Sequence, residues 1–286
     1  MRGGPLDDAE SRVLVFLNEV AGGRKLLEAV RERAGRGAAV AVVAPQNQPE
    51  TGVRISPEER YEAAASRVDV TLAVFEEFGI DAIGEVLDPD PLLALDDAIR
   101  AYEPQEILLS CLAESRSGLL RRDLVESARA RYETPILHIP VRIEDDAVRW
   151  DVTHTLVVAT QTVNSADLLS HLRSEAAERP HRYTFICPRS GDVPREEVCR
   201  RLAATLAELY RADIDATGLP LSPAPFVAVE NAIEHYRIDE ILISTLAGQR
   251  SKWLEDNLIE RVGSITDKPV RHIECDAPVE APAAVG

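Results

Sequence analysis

The sequence predicts an α/β protein built from two tandem domains, each a five-stranded parallel sheet with helices on both faces. Three observations carry that expectation. The chain repeats itself: the stretch from Asp81 to Ile139 aligns without a gap with Asp215 to Ile273, and roughly 40% of the pairs are identical. Short apolar runs alternate with longer amphipathic ones, the pattern of strands and crossover helices around a parallel sheet. The apolar runs are also continuous rather than alternating, as burial of both strand faces requires.

Taken in order, the strands of the first copy are expected at "RVLVFLN" from Arg12, "AAVAVVAP" from Ala38, "DAIGEVL" from Asp81, "EILLSC" from Glu106 and "PILHIPV" from Pro135. Those of the second are "HTLVVAT" from His154, "RYTFICP" from Arg182, "DATGLPL" from Asp215, "EILISTL" from Glu240 and "PVRHIEC" from Pro269. Helical patterns separate them. The longest, "ERYEAAASRVDVTLAVFEEFG", follows Ser56 and Pro57, a capping residue and then a proline at the first helical position. Upstream the copies match more weakly but legibly, "VFLNEVAGGRKLLEAV" with "VVATQTVNSADLLSHL". Each copy is about 130 residues, the length of a domain and far longer than a solenoid repeat. The domains are therefore expected at 11–143 and 152–276, joined by a polar linker at 144–151 and followed by a loose Ala- and Pro-rich tail at 277–286.

Bulk properties exclude several classes of function. The chain has 286 residues, 45% hydrophobic and 28% charged, an ordinary globular mixture. A net charge of -17 argues against a nucleic-acid partner, whose phosphates need clustered Lys and Arg, and against anionic membrane surfaces. No run approaches the roughly 20 apolar residues of a membrane span, so a cytoplasmic protein is expected. Cys111, Cys187, Cys199 and Cys275 lack metal-type spacing and are too few to staple the chain, so buried free thiols are expected.

Two stretches are the most distinctive: "STLAGQRSKWLEDNLIERV", leading to "KPVRHIE", and its counterpart "SCLAESRSGLLRRDLVESA", leading to "TPILHIP". A fourth strand that ends in a Gly/Ser loop, then a helix, then a strand opened by proline resembles the universal stress protein family. Specifically, the chain looks like a tandem, two-domain member of the divergent type common in actinobacteria, with the likeness running from about Arg12 to Glu274. The resemblance implies a flavodoxin-like or Rossmann-like sheet of order 3-2-1-4-5 in each domain. Any ligand would lie at the switch point between the first and fourth strands. It also implies a fused dimer, because single-domain relatives pair, with further self-association left open.

Nucleotide-binding members of that family close the first strand with Asp and follow the fourth with a Gly-x2-Gly-x9-Gly-Ser/Thr loop whose amides hold phosphates. Here the first strands end in Asn18 and Thr160, and the loops carry only Gly118 and Gly248. The family's final Gly-Ser falls near Arg122 and Asp123 in the first copy and near Asp256 and Asn257 in the second. What remains for a ligand is Arg116 with Ser117 and Arg250 with Ser251, where an arginine beside a helix start could grip a phosphate or carboxylate, or simply pair with an acid while the serine caps the helix. Ser110, Ser244 and Thr245 at the fourth-strand ends could line the crevice or merely cap backbone.

His138 and His272, in the last strands, read as buried or interface histidines. No Walker A, Gly-x-Gly-x-x-Gly, Gly-x-Ser-x-Gly or His-x-Gly-His signature is present, and Asp88 and Asp90 read as a turn. The expected function is a non-enzymatic, stress-associated regulatory or interaction protein with a degenerate nucleotide site, no required cofactor and a protein partner the sequence does not name. The alternative is a sensor of ATP or AMP that uses the loop after the fourth strand of the second domain. An enzyme on the same scaffold is a third reading.

Overall fold

The computed structural model describes residues 11–18, 21–47, 56–111, 124–140, 152–188, 193–221, 225–235, 237–248 and 257–277. The chain divides near residue 150 into two compact units. The first holds β1 (Arg12–Leu17), α1 (Arg24–Ala34), β2 (Ala39–Pro45), α2 (Pro57–Glu77), β3 (Ala82–Leu87), α3 (Pro91–Tyr102), β4 (Glu106–Cys111), α4 (Leu124–Arg131) and β5 (Ile136–Pro140). The second holds β6 (Thr153–Val158), α5 (Ala166–Glu178), β7 (His181–Pro188), α6 (Arg195–Arg211), β8 (Asp215–Leu221), α7 (Pro225–His235), β9 (Glu240–Leu246), α8 (Leu258–Ile265) and β10 (Val270–Cys275).

The strand orders are β3-β2-β1-β4-β5 and β10-β9-β6-β7-β8, so each copy is a five-stranded sheet of order 3-2-1-4-5. β1 pairs in parallel with β2 and β4, and β6 does the same with β7 and β9. Parallel neighbours need a crossover, which the helices supply.

Both faces of each sheet are covered. In the first unit Leu14, Phe16, Val43 and Leu109 pack with Ala94 and Leu95 of α3 and Val125 of α4. The alternate residues Val15, Leu17, Val42 and Leu108 are equally buried on the opposite face, the side of α1 and α2. In the second unit Leu156, Val158, Ile241 and Ile243 pack with Val229 of α7 and Val262 of α8. Each such side chain contributes about 1.5–3 kcal/mol on leaving water, which explains the continuous apolar runs.

Local chemistry sets the element boundaries. Ser56 accepts from the Glu59 amide and the Glu59 carboxylate accepts from the Ser56 amide, a reciprocal cap with Pro57 behind it. Asp90 accepts from the amides of Leu92 and Leu93 to start α3, and Asp88 accepts from the Asp90 amide. These two carboxylates therefore form the turn expected of them. Gly84 of β3 lies where α2 approaches closely, and a Cβ there would stand 2.5 Å from Val68 Cγ1 and 3.1 Å from the Val42 carbonyl oxygen.

Two strand boundaries differ from the sequence reading with consequences for the site. β6 runs from Thr153 to Val158, so Thr160 stands beyond the strand rather than closing it. β7 begins at His181, one residue early, because that polar residue pairs with Thr153 at the sheet's amino-terminal edge.

Candidate functional site at the carboxyl ends of the strands

In a sheet of this order the connections leave strands 1 and 4 in opposite directions, which opens a crevice at their carboxyl ends. In the first unit the Asn18 amide donates to the Ser110 carbonyl at 2.9 Å, locking the end of β1 to β4. Asn47 Nδ2 donates to the Asn18 carbonyl at 2.7 Å and to Asn18 Oδ1 at 3.1 Å. Arg67, reaching in from α2, donates through Nη2 to Asn47 Oδ1 at 2.8 Å and to the Pro45 carbonyl at 2.6 Å. Arg67 is only 3% exposed. A guanidinium buried this deeply must be hydrogen-bonded, and the carbonyl freed at the end of β2 and the Asn47 side-chain oxygen serve that need. Asn18 and Ser110 are therefore buried members of a structural network, Asn18 at 9% and Ser110 at 1% exposure.

The second unit closes the same region with hydroxyls. Thr160 Oγ1 donates to the Pro188 carbonyl, tying the chain after β6 to the end of β7. Thr162 Oγ1 hydrogen-bonds Ser244 Oγ at 2.8 Å, and Ser244 Oγ donates to Cys275 Sγ at 3.3 Å. The loop is pinned further by the Ser165 hydroxyl, which caps α5 at the Leu168 amide, and by Thr205 Oγ1, which donates to the Val163 carbonyl at 2.7 Å. Thr245 Oγ1 hydrogen-bonds His272 Nε2 at 2.8 Å. The first copy has the equivalent contact, Cys111 Sγ to His138 Nε2 at 3.3 Å. Both histidines thus pair with the last residue or two of the fourth strand, as partly buried structural groups.

The structure brings Asn18 and Ser110 together in one unit and Thr160, Ser244 and Thr245 in the other, every one of them at the carboxyl edge and every one buried. Gly248 lies just beyond β9 in a turn with φ 68°, the left-handed region that favours glycine. Asn257 has φ 52° and ψ 41° immediately before α8. The backbone there has a shape congenial to glycine but carries a side chain. Arg116, Ser117, Arg250 and Ser251, with Arg122, Asp123 and Asp256, lie outside the described residues.

All four cysteines are free and buried. Burial, with Cys199 nearby, pushes the Cys187 thiol well above its usual range, so it stays protonated. Sequence reasoning missed Asn47, Thr162 and Arg67, whose roles arise only when separate loops and a helix meet. A usable signal for Arg67 was its place within an otherwise apolar helical face.

No family model matches the chain, and no curated protein matches it. The solved structures it resembles include universal stress proteins. One from Archaeoglobus fulgidus has 18% identity over 45% of this chain and 98% of its own, with a TM-score of 0.36. A second from Archaeoglobus fulgidus DSM 4304 has 17% identity over 92% of this chain and 96% of its own, TM-score 0.33. A putative universal stress protein from Pseudomonas aeruginosa UCBPP-PA14 has 14% identity over 96% of each chain, TM-score 0.33.

Proposed function

We propose that this chain is a non-enzymatic regulatory or interaction protein of stress physiology in which the nucleotide crevice has been given over to structural hydrogen bonds. The observation that carries the reading is the closed chain of side-chain hydrogen bonds from Thr162 through Ser244 to the Cys275 thiol. Groups that would otherwise meet a ligand at the switch point bond to one another and are buried. The Arg67, Asn47 and Asn18 network supports the same reading for the first unit. Asn257, which holds a left-handed backbone with a side chain in place where the family's loop carries small residues, supports the same reading for the second unit. The link to stress rests on the loop motifs of the sequence. The reading needs no cofactor and places the protein in the cytoplasm; among the described residues no helix is long and apolar enough to cross a membrane.

Calorimetric titration of the full-length protein with ATP and with AMP tests it. The expected outcome is no saturable heat at up to millimolar nucleotide, while binding at micromolar affinity would overturn it. A second reading, an ATP or AMP sensor acting through the loop after β9, is favoured by the exposed left-handed turn at Gly248. It requires Arg250→Ala to abolish nucleotide binding while Arg116→Ala leaves it nearly unchanged. We propose also that the duplicated sheets stand in for the two subunits of a dimer, so sedimentation equilibrium should return the mass of one chain.

A further inference from the structure

At the amino-terminal edge of the second sheet, away from the strand ends described above, three ligand-type side chains converge. His181 opens β7, Glu240 opens β9, and Glu175 comes from the last turn of α5; a donor atom of each lies within 4.8 Å of the others. His171, one helical turn before Glu175, brings Nε2 to 3.6 Å from Glu175 Oε1.

The imidazole of His181 points to what the cluster holds. Its side chain is 1% exposed. Nδ1 lies 2.9 Å from the Arg179 carbonyl, and since a carbonyl only accepts, Nδ1 carries the proton. In the neutral ring Nε2 is then a bare lone pair. That nitrogen has no hydrogen-bond partner among the described residues and faces Glu240 Oε1 at 3.7 Å. A buried lone pair turned toward a carboxylate oxygen is unfavourable unless a positive charge, either a proton on Nε2 or a metal ion, sits between them. Metal-bound histidines are built this way, with the far nitrogen donating to a backbone carbonyl that sets tautomer and ring orientation. Glu240 is held in place as well, because Thr155 Oγ1 donates to its Oε1, the oxygen that faces His181, at 2.7 Å.

The first copy supplies an internal control. Glu106 stands opposite Val13 as Glu240 stands opposite Thr155. Counted from the starts of α1 and α5, Arg33 and Glu175 occupy the same position, and Arg33 pairs directly with Glu106. In the second copy a carboxylate replaces that guanidinium. Its charge is balanced from β10, where Arg271, opposite Leu242, takes the place that Leu137 holds opposite Leu108. Arg271 bonds Glu175 through both terminal nitrogens and Glu240 Oε1 at 2.8 Å. Arg179 approaches Glu240 Oε2 at 3.4 Å. The Arg271 side chain is 34% exposed, so it can leave toward solvent.

We propose that Glu175, His181 and Glu240 form a site for one divalent transition-metal ion of the zinc class, with His171 as a flanking donor and Arg271 as a competitor that occupies the carboxylates in the metal-free protein. A mixed imidazole and carboxylate set suits such ions better than calcium or magnesium, which take oxygen ligands.

Zinc titration by calorimetry and cobalt(II) titration by visible absorption, both on the full-length protein at neutral pH, test it, with circular dichroism confirming that each variant is folded. One ion per chain is expected. Arg271→Gln should bind at least about tenfold more tightly than the unsubstituted protein, since the competing cation is gone, and Arg271→Lys should fall between them. Adding His181→Gln to Arg271→Gln should weaken binding at least about tenfold. If that double variant does not fold, Glu175→Gln with Arg271→Gln takes its place, with the same loss expected. Failure of Arg271→Gln to bind zinc saturably, equal affinity with and without His181 or Glu175, no gain on removing Arg271, or loss of binding on thiol alkylation would each overturn the proposal.

Discussion

Arg33 near the end of α1 and Glu106 at the start of β4 form a two-pronged ion pair, Nε to Oε2 and Nη2 to Oε1, both at 2.6 Å. Arg33 Nη1 also donates to the Ala29 carbonyl at 2.9 Å, so the guanidinium is held from two sides. The side chains are 18% and 28% exposed, where solvent screens the charges only partly. A double-mutant cycle of Arg33→Met and Glu106→Gln, read by urea unfolding, should give a coupling of about 1–3 kcal/mol. Additive losses would mean that the pair holds nothing together.

Gly84 marks a close approach of α2 to the first sheet. A methyl group at that position meets Val68 and the Val42 carbonyl, and the backbone oxygen cannot move aside without disturbing β2. Gly84→Ala should destabilise the protein by about 1–3 kcal/mol, the usual cost of forcing extra volume into a packed site. Pairing it with Val68→Ala should recover part of the loss in the same urea measurement.

Stability should fall in acid. Burial opposes the charge on Glu175, but Arg271, by hydrogen bond and by charge, together with His171 and His181, holds the carboxyl below its usual range. Burial likewise opposes charge on Glu197, and Arg200 and Arg201 outweigh it; Arg173 leads the depression of Glu208. As the pH drops, the unfolded chain takes up these protons first. The contribution is complete above the ordinary glutamate value near 4.3 and is lost as pH falls through the lower folded values. Melting temperature followed from about pH 6 to about pH 3 should decline, and Glu175→Gln should flatten that acid limb. An unchanged slope in the variant would assign the decline to other groups.

The thiols should be silent in the native state. Cys187 is wholly buried beside Cys199, and both lie within the second unit's core. An aromatic disulfide reagent should label none of the four cysteines over minutes at neutral pH and all four after denaturation, because attack needs an accessible thiolate. Rapid native labelling would show that some thiol is reachable.

Much of the scaffold was legible in the chain. Continuous apolar runs such as "VLVFL" and "EILIS" announced strands buried on both faces, and the gapless repeat announced two copies. Ser56 and Pro57 announced the start of α2. Each signal is local, arising from residues a few positions apart. The strand ends were legible in place, but the bonding of their polar residues was not. Asn18, Thr160, Ser110, Ser244 and Thr245 do stand at the carboxyl edge, yet their side chains face inward, because partners such as Asn47, Arg67, Thr162 and His272 arrive from other elements. His181 escaped the expected strand altogether, since a polar residue does not extend an apolar run. The exchange of Arg33 for Glu175 and of Leu137 for Arg271 between the copies was available as a signal, visible once the copies are aligned through the helices.

By itself the sequence determined the α/β class, the duplication and the positions of the strands, because hydrophobic periodicity and capping chemistry act over one or two turns of chain. Only the tertiary structure decided which polar groups are spent on one another at the carboxyl edge and which converge at the amino-terminal edge. Hydrogen bonds and ion pairs depend on distances of about 3 Å between residues far apart in the chain, and no local pattern encodes those distances.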